Sequence, residues 1–159
     1  MKLIYLTSRF PYPINKGDKL RSFHQIKELS KQNDIYLISL SEIKVPKSSI
    51  KQLDKYCKSV HVYHISLINR IFNLLKTLIN NRPFQVNYFY HHKIQKKINS
   101  NISVIKPDHI FCQLVRTALY VKDEHSIPKT LDYMDALSKG LERRIKISKF
   151  WQKPFVKME

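Results

Sequence analysis

Lys2-Leu3-Ile4-Tyr5-Leu6-Thr7-Ser8 is a short, nearly unbroken apolar run closed by small polar residues, the pattern of a strand buried on both faces of a parallel sheet. The next ten residues, Arg9-Phe10-Pro11-Tyr12-Pro13-Ile14-Asn15-Lys16-Gly17-Asp18, hold two prolines and one of the chain's two glycines. Neither a helix nor a strand ladder runs through such a segment, so a fixed loop follows the first strand. From Asp18, a suitable N-cap, Leu20, Phe23, Ile26 and Leu29 recur every three residues with polar residues between them, which predicts a helix to about Lys31.

The same unit recurs along the chain. Ile35–Leu40 is a second apolar run, Ile50–Tyr56 is helical after the break at Pro46, and Ser59–Ile65 alternates as a β-branched third strand. In residues 67–80, Ile68, Ile71, Phe72, Leu75, Leu78 and Ile79 fall on one helical face, with Arg70, Asn73, Lys76, Thr77 and Asn80 opposite. An aromatic cluster of Phe84, Tyr88, Phe89 and Tyr90 precedes a basic helix from about His91 to Ile105. His109–Cys112 and Pro128–Tyr133 read as a fourth and a fifth strand, and Ala136–Glu159 as a basic helix without a stop signal. Strands alternating with helices imply right-handed crossovers. The fold expected is therefore α/β, a Rossmann-like parallel sheet with helices on both faces.

A chain of 159 residues can remove ~70% of its unfolded surface from water, enough for one real core. No apolar run exceeds seven residues, against the ~20 that a spanning helix needs. Met1-Lys2 leads straight into the first strand with no secretory pattern. These features place the chain in the cytoplasm, with peripheral attachment to the inner face of the cell membrane left open. Cys57 and Cys112 sit in apolar contexts and predict small buried hydrophobes with no disulfide.

The net charge is +17, from 29 Lys and Arg against 12 Asp and Glu. A field of that size attracts anionic membrane, nucleic acid or phosphorylated ligands. Of the cations, 22 are Lys spread over the whole chain beside abundant Ile and Asn, which also fits a compositional bias of the gene. No segment concentrates the Arg that reads bases, which counts against nucleic acid.

In open α/β sheets ligands bind outside the carboxyl ends of the strands. Those positions hold Ser8, Arg9, Gly17, Asp18 and Arg21 after the first strand, Gln113 and Arg116 after the fourth, and Asp132 and Asp135 after the fifth. Guanidinium groups facing carboxylates across one crevice suit a phosphorylated, hydroxyl-rich ligand. The single Gly of the first turn excludes the Gly-x-Gly-x-x-Gly dinucleotide fingerprint, and no Walker pattern is present. Gly17 either leaves backbone N–H groups at a positive helix end for an anion or only makes the turn. Asp132 and Asp135 form an acid–base pair, or Asp132 caps the following helix. His61 and His64, three apart on a strand, and the adjacent His91 and His92 lack the partners of a metal site. The helix over 67–80 either packs on its own domain or rests on anionic lipid.

Four blocks of this chain carry a family resemblance. They are Thr7-Ser8-Arg9-Phe10-Pro11-Tyr12-Pro13 with Lys16-Gly17-Asp18-Lys19-Leu20-Arg21-Ser22; Arg82-Pro83-Phe84-Gln85-Val86 with Tyr88-Phe89; Gln113-Leu114-Val115-Arg116; and Leu131-Asp132-Tyr133-Met134-Asp135-Ala136-Leu137-Ser138. In this order they resemble the amino-terminal domain of bacterial retaining GT-B glycosyltransferases of the family-four type, the group that includes sugar transferases of exopolysaccharide and exosortase systems. The resemblance implies an acceptor-side domain over 1–150, with 151–159 opening toward a second, donor-binding domain that has no counterpart in this chain. It implies transfer of a sugar, with retention and without a metal or other cofactor, from a nucleotide sugar to a saccharide or lipid-linked acceptor. On this basis Asp135 and Arg116 are the catalytic candidates. Arg9, Gly17, Asp18, Arg21, Gln113 and Asp132 are the candidates for substrate binding. Many relatives place a His after the fourth strand where this chain has Gln113, so a histidine-assisted step is not expected. By itself the fragment is expected to have the fold and no turnover. The reading set against it is a non-catalytic basic module for anionic membrane or nucleic acid.

Overall fold

A computed structural model describes residues 1–80 and 84–133, the side chains of 76–80, 84 and 85 aside. Asp135, the helix expected over 136–159 and the boundary at residue 150 lie outside the described residues. Five strands form one sheet: β1 (Lys2–Thr7), β2 (Asp34–Ser41), β3 (Ser59–His64), β4 (His109–Gln113) and β5 (Lys129–Asp132), in the order β3-β2-β1-β4-β5. Every pairing is parallel, with Leu3 beside Ile35 and His109, Leu37 beside Val60, and Cys112 beside Leu131. This is the doubly wound arrangement of a Rossmann-like fold, whose strand order reverses between β1 and β4.

Strand alternation divides the core in two. On one face Leu3, Tyr5, Ile35 and Leu37 pack with Ile26 of helix α1 (Gly17–Leu29), Leu53 of α2 (Lys47–Asp54) and Cys57. On the other, Ile4, Leu6, Ile38, Leu40, Ile110 and Cys112 pack with Phe89 of α4 (Phe84–Phe89), Ile94, Ile98 and Ile102 of α5 (His92–Ile105) and Tyr120 of a 3-10 helix (Val115–Tyr120). Burial of each such side chain is worth about 1.5–3 kcal/mol. The two cysteines thus lie on opposite sides of the sheet as free thiols, and burial pushes each up to about 12.

The expected strands all form, within two residues of their expected ends. Two short elements were not expected: the six-residue α4, made from the aromatic cluster, and the 3-10 helix after β4. Asp18 is not the N-cap of α1. The cap position lies two residues earlier, at Lys16 in extended backbone, and the Asp18 carboxylate turns instead to Arg9 and to the Lys19 N–H.

Helix α3 (Leu67–Asn80) also departs from ordinary packing. Its polar stripe faces the domain: Arg70 reaches Glu42 and Tyr88, and the Asn73 amide donates to the Tyr90 carbonyl. Its apolar stripe, Leu67, Ile68, Ile71, Phe72 and Leu75, is more than half exposed at every position. No helix among the described residues is long and apolar enough to cross a membrane.

Candidate functional site

The carboxyl edge of the sheet is assembled around the turn after β1. Thr7 and Ser8 are fully buried there, Thr7 bonded to Ser39 of β2 through their hydroxyls at 2.9 Å. Ser8 Oγ, buried beside them, has no hydrogen-bond partner among the described residues. Phe10 is buried against the α1 face and pins the loop, so Arg9 is held at the sheet edge while the chain swings out to Lys16. The Tyr12–Pro13 peptide is cis.

Helix α1 then points its amino end at this edge. Lys16 supplies no capping side chain and the Asp18 carboxylate takes the Lys19 N–H, so the N–H groups before it, at Gly17 and Asp18, are what the positive end of the helix offers to other acceptors. Gly17 does not have the left-handed backbone that would demand a glycine, and a Cβ built there meets nothing within 4 Å. The turn-making role alternative for Gly17 therefore loses its conformational basis. What the missing side chain provides is open access to the helix start.

Three ties converge on the first turns of α1. Gln113, buried at the end of β4, donates from Nε2 to the Asp18 carbonyl at 2.7 Å. Arg21 makes a bidentate pair with Asp132, Nε to Oδ2 at 3.0 Å and Nη2 to Oδ1 at 2.9 Å. Gln25 adds a 3.1 Å bond to the same carboxylate and accepts the Tyr5 hydroxyl at 2.6 Å. Asp132 is thus held by α1; the following helix that it was expected to cap lies outside the described residues. Asp18 meets Arg9 at 3.1 Å. Arg9, Asp18 and Gln113 accordingly form one cluster with Gly17, and Arg21 of the same helix forms a second with Asp132 at the end of β5. Arg116 lies past the end of β4, its guanidinium stacked 5.3 Å from the Phe89 ring centre on α4.

Several groups at this edge were not singled out in the sequence. Glu42 follows β2 and bridges Arg9 Nε at 3.5 Å and Arg70 Nη1 at 2.9 Å, with the Tyr88 hydroxyl donating at 2.8 Å. Burial pushes the Glu42 carboxyl up, but the Tyr88 hydrogen bond and the two guanidinium groups outweigh it and hold the group below its usual range. Burial and the Glu42 contact push the Tyr88 hydroxyl the other way, up. The rule that residues following strands line the ligand crevice reaches Glu42, which follows β2, as readily as Gln113, which ends β4. Leu114 carried no signal at all. It has φ 67° and ψ 152°, a region nearly confined to glycine that costs about 1–3 kcal/mol. The strain sits where the strand order reverses, with the Leu114 N–H continuing the ladder to the Asp132 carbonyl at 3.0 Å.

A cleft of about 170 Å³ opens between the loops after β1 and β2, lined among others by Arg9, Tyr12, Lys16, Lys19 and Glu42. Partial burial, with Lys16 and Arg9 nearby, lowers the pKa of Lys19 despite Asp18. Cations that depress one another's protonation are relieved by a bound anion. A larger cavity of about 370 Å³ between α5 and the 3-10 helix is lined by Gln95, Asn99, Ser103, Asp123 and Glu124 and by no Lys or Arg. It offers an anion nothing, and the smaller cleft is the one placed where the fold binds ligands. Among the described residues no group of three or more His, Cys, Asp or Glu is arranged to hold a metal ion.

No family model matches this chain, and no curated protein does.

Proposed function

We propose that this chain is the acceptor-side domain of a retaining, GT-B-type sugar transferase, with its half of the active site in the crevice where β1 and β4 diverge. One observation carries the reading. The four sequence blocks that resemble such enzymes are separated by tens of residues, yet described residues of each meet at one sheet edge around the first block. Block three reaches it through Gln113 and Asp18, and block four through Asp132 and Arg21. Block two reaches it through Tyr88 and the Glu42 carboxylate that also binds Arg9. A scatter of chance similarities has no reason to converge on the position that binds ligands in this fold.

In the reaction proposed, the bond from the anomeric carbon of a nucleotide sugar to its diphosphate breaks. A bond to the acceptor hydroxyl oxygen forms on the same face, and the hydroxyl proton passes to the departing diphosphate. Negative charge grows on the departing diphosphate, and fixed cations with uncapped helix N–H groups stabilise such charge. Gly17, Arg9 and the neighbouring lysines would serve it there. Arg116 and Asp135 are the catalytic candidates that the resemblance offers, while Gln113, Arg21 and Asp132 position the first turns of α1. The donor nucleotide sugar would be held chiefly by a second domain, and the acceptor, a saccharide or a lipid-linked one, by this domain. The reaction would take place at the cytoplasmic side, without a metal or other cofactor.

The test is transfer of labelled sugar by the gene product that contains this chain, supplied with a panel of nucleotide sugars and a membrane-lipid or glycan acceptor extract. Arg116→Ala and Asp135→Ala are expected to lower kcat/KM by about 100-fold or more, the scale of a lost charge-stabilising group. No transfer from any nucleotide sugar overturns the proposal, and normal turnover in both variants removes these residues from the site.

A further inference from the structure

Helix α3 is amphipathic in the inverse sense for a surface helix of a globular domain. At 100° per residue, Leu67, Ile68, Ile71, Phe72 and Leu75 span an arc of about 140°, and they are 51% to 67% exposed. The opposite side is the one that holds the helix to the domain, through Arg70 on Glu42 and Tyr88 and through Asn73 on the Tyr90 carbonyl. Rotating α3 to bury the apolar stripe would break that network, so the outward orientation is fixed by specific polar bonds. Contiguous apolar surface of this kind marks a contact with something else.

The charge around it selects the occupant. From Lys55 to Pro107 the sequence has no Asp or Glu at all and nine Lys and Arg. This stretch includes all of α3, α4 and α5. A second copy would oppose two copies of this cation-rich segment, the neighbouring Glu42 being already engaged by Arg70 and Arg9, and the two would repel. Nucleic acid meets the charge but offers no apolar layer for Ile, Leu and Phe. A bilayer containing anionic lipid offers both, negative headgroups outside and acyl chains beneath them. We infer that α3 lies in the interface of an anionic membrane, with its stripe of Leu67, Ile68, Ile71, Phe72 and Leu75 inserted among the lipids. The inference stands on α3 and its surroundings and does not rest on the sugar-transfer reading.

Co-sedimentation of the chain with phosphatidylcholine vesicles, with and without phosphatidylglycerol, tests it. The double variant Ile71→Ser/Phe72→Ser replaces exposed side chains without changing charge, and an unchanged thermal midpoint checks that it folds. The wild type is expected to pellet with phosphatidylglycerol vesicles and to remain in solution with the neutral ones. The variant should bind at least about tenfold more weakly, since several inserted carbon groups are lost. Equal binding by wild type and variant overturns the inference, because attachment would then be charge alone. So does failure of the wild type to bind, whether it sediments as a monomer or as a dimer that the double variant dissociates.

Discussion

Helices α1 and α3 are both amphipathic in sequence, and the domain uses them in opposite senses. In α1 the apolar residue Ile26 is fully buried against Leu3, Tyr5 and Leu37, and the polar residues Arg21 and Gln25 reach over the sheet edge to Asp132. In α3 the polar residues make the attachment and the apolar ones face outward. Periodicity of 3.6 shows that a helix has two faces. It does not show which face the domain takes, and here that depends on a carboxylate, Glu42, that lies 28 residues before Arg70 in the chain.

The sharpest way to break this contrast is to truncate the same residue type in each helix. Ile26→Ala leaves a cavity in a closed core and is expected to cost about 2–5 kcal/mol. Ile71→Ala removes an exposed side chain and should stay within about 0.5 kcal/mol. Urea denaturation of both variants decides, and similar losses would mean that the α3 stripe is buried after all.

The polar attachment of α3 gives a smaller effect with a pH signature. Glu42→Gln removes a carboxylate that accepts from Arg70 and Tyr88 and faces Arg9, at about 1–2 kcal/mol near neutral pH given its partial exposure. Because the folded pKa of Glu42 lies below its ordinary value of 4.5, its contribution is complete above that value and is lost as the pH falls through the depressed one. The gap between wild type and Glu42→Gln should therefore close in acid. Hydrogen exchange along α3 should show the same closure, and a gap independent of pH would mean that the ionised carboxylate is not what holds the helix.

Smallest is the effect expected at the amino end of α1. Gly17→Ala meets no neighbour within 4 Å and keeps an ordinary backbone. It should leave stability unchanged or raise it by up to about 1 kcal/mol. A clear loss of stability would show that Gly17 serves the fold.

Much of the architecture was legible because parallel strands buried on both faces are written as near-continuous runs. Leu3–Leu6, Ile35–Leu40 and Ile110–Cys112 are such runs, and all of them are in the sheet core. The residues following β1, β4 and β5 were legible from the same rule, and the structure gathers Arg9, Asp18 and Gln113 in one cluster and Arg21 with Asp132 in another beside it. What escaped depends on partners far away in sequence or on backbone that the residue type does not advertise. Glu42 has meaning only once Arg9, Arg70 and Tyr88 surround it. Leu114 adopts a positive φ that its side chain disfavours, so the 3-10 helix behind it had no Gly or Asn to announce it. Asp18 has the sequence position of a cap, yet its carboxylate goes to Arg9 and to the Lys19 N–H.

The claim at the centre of this account is that the open amino end of α1 is there for a ligand. The most direct measurement is the rate of sugar transfer by Gly17→Ala in the gene product that contains this chain, taken beside its thermal midpoint. A methyl group placed where a diphosphate or acceptor oxygen must approach the backbone should lower kcat/KM by about tenfold or more while the midpoint holds, since displacements near 1 Å at a reacting centre have effects of that order or larger. Transfer at the wild-type rate with the midpoint unchanged would contradict the account, because the access that Gly17 provides would then serve nothing.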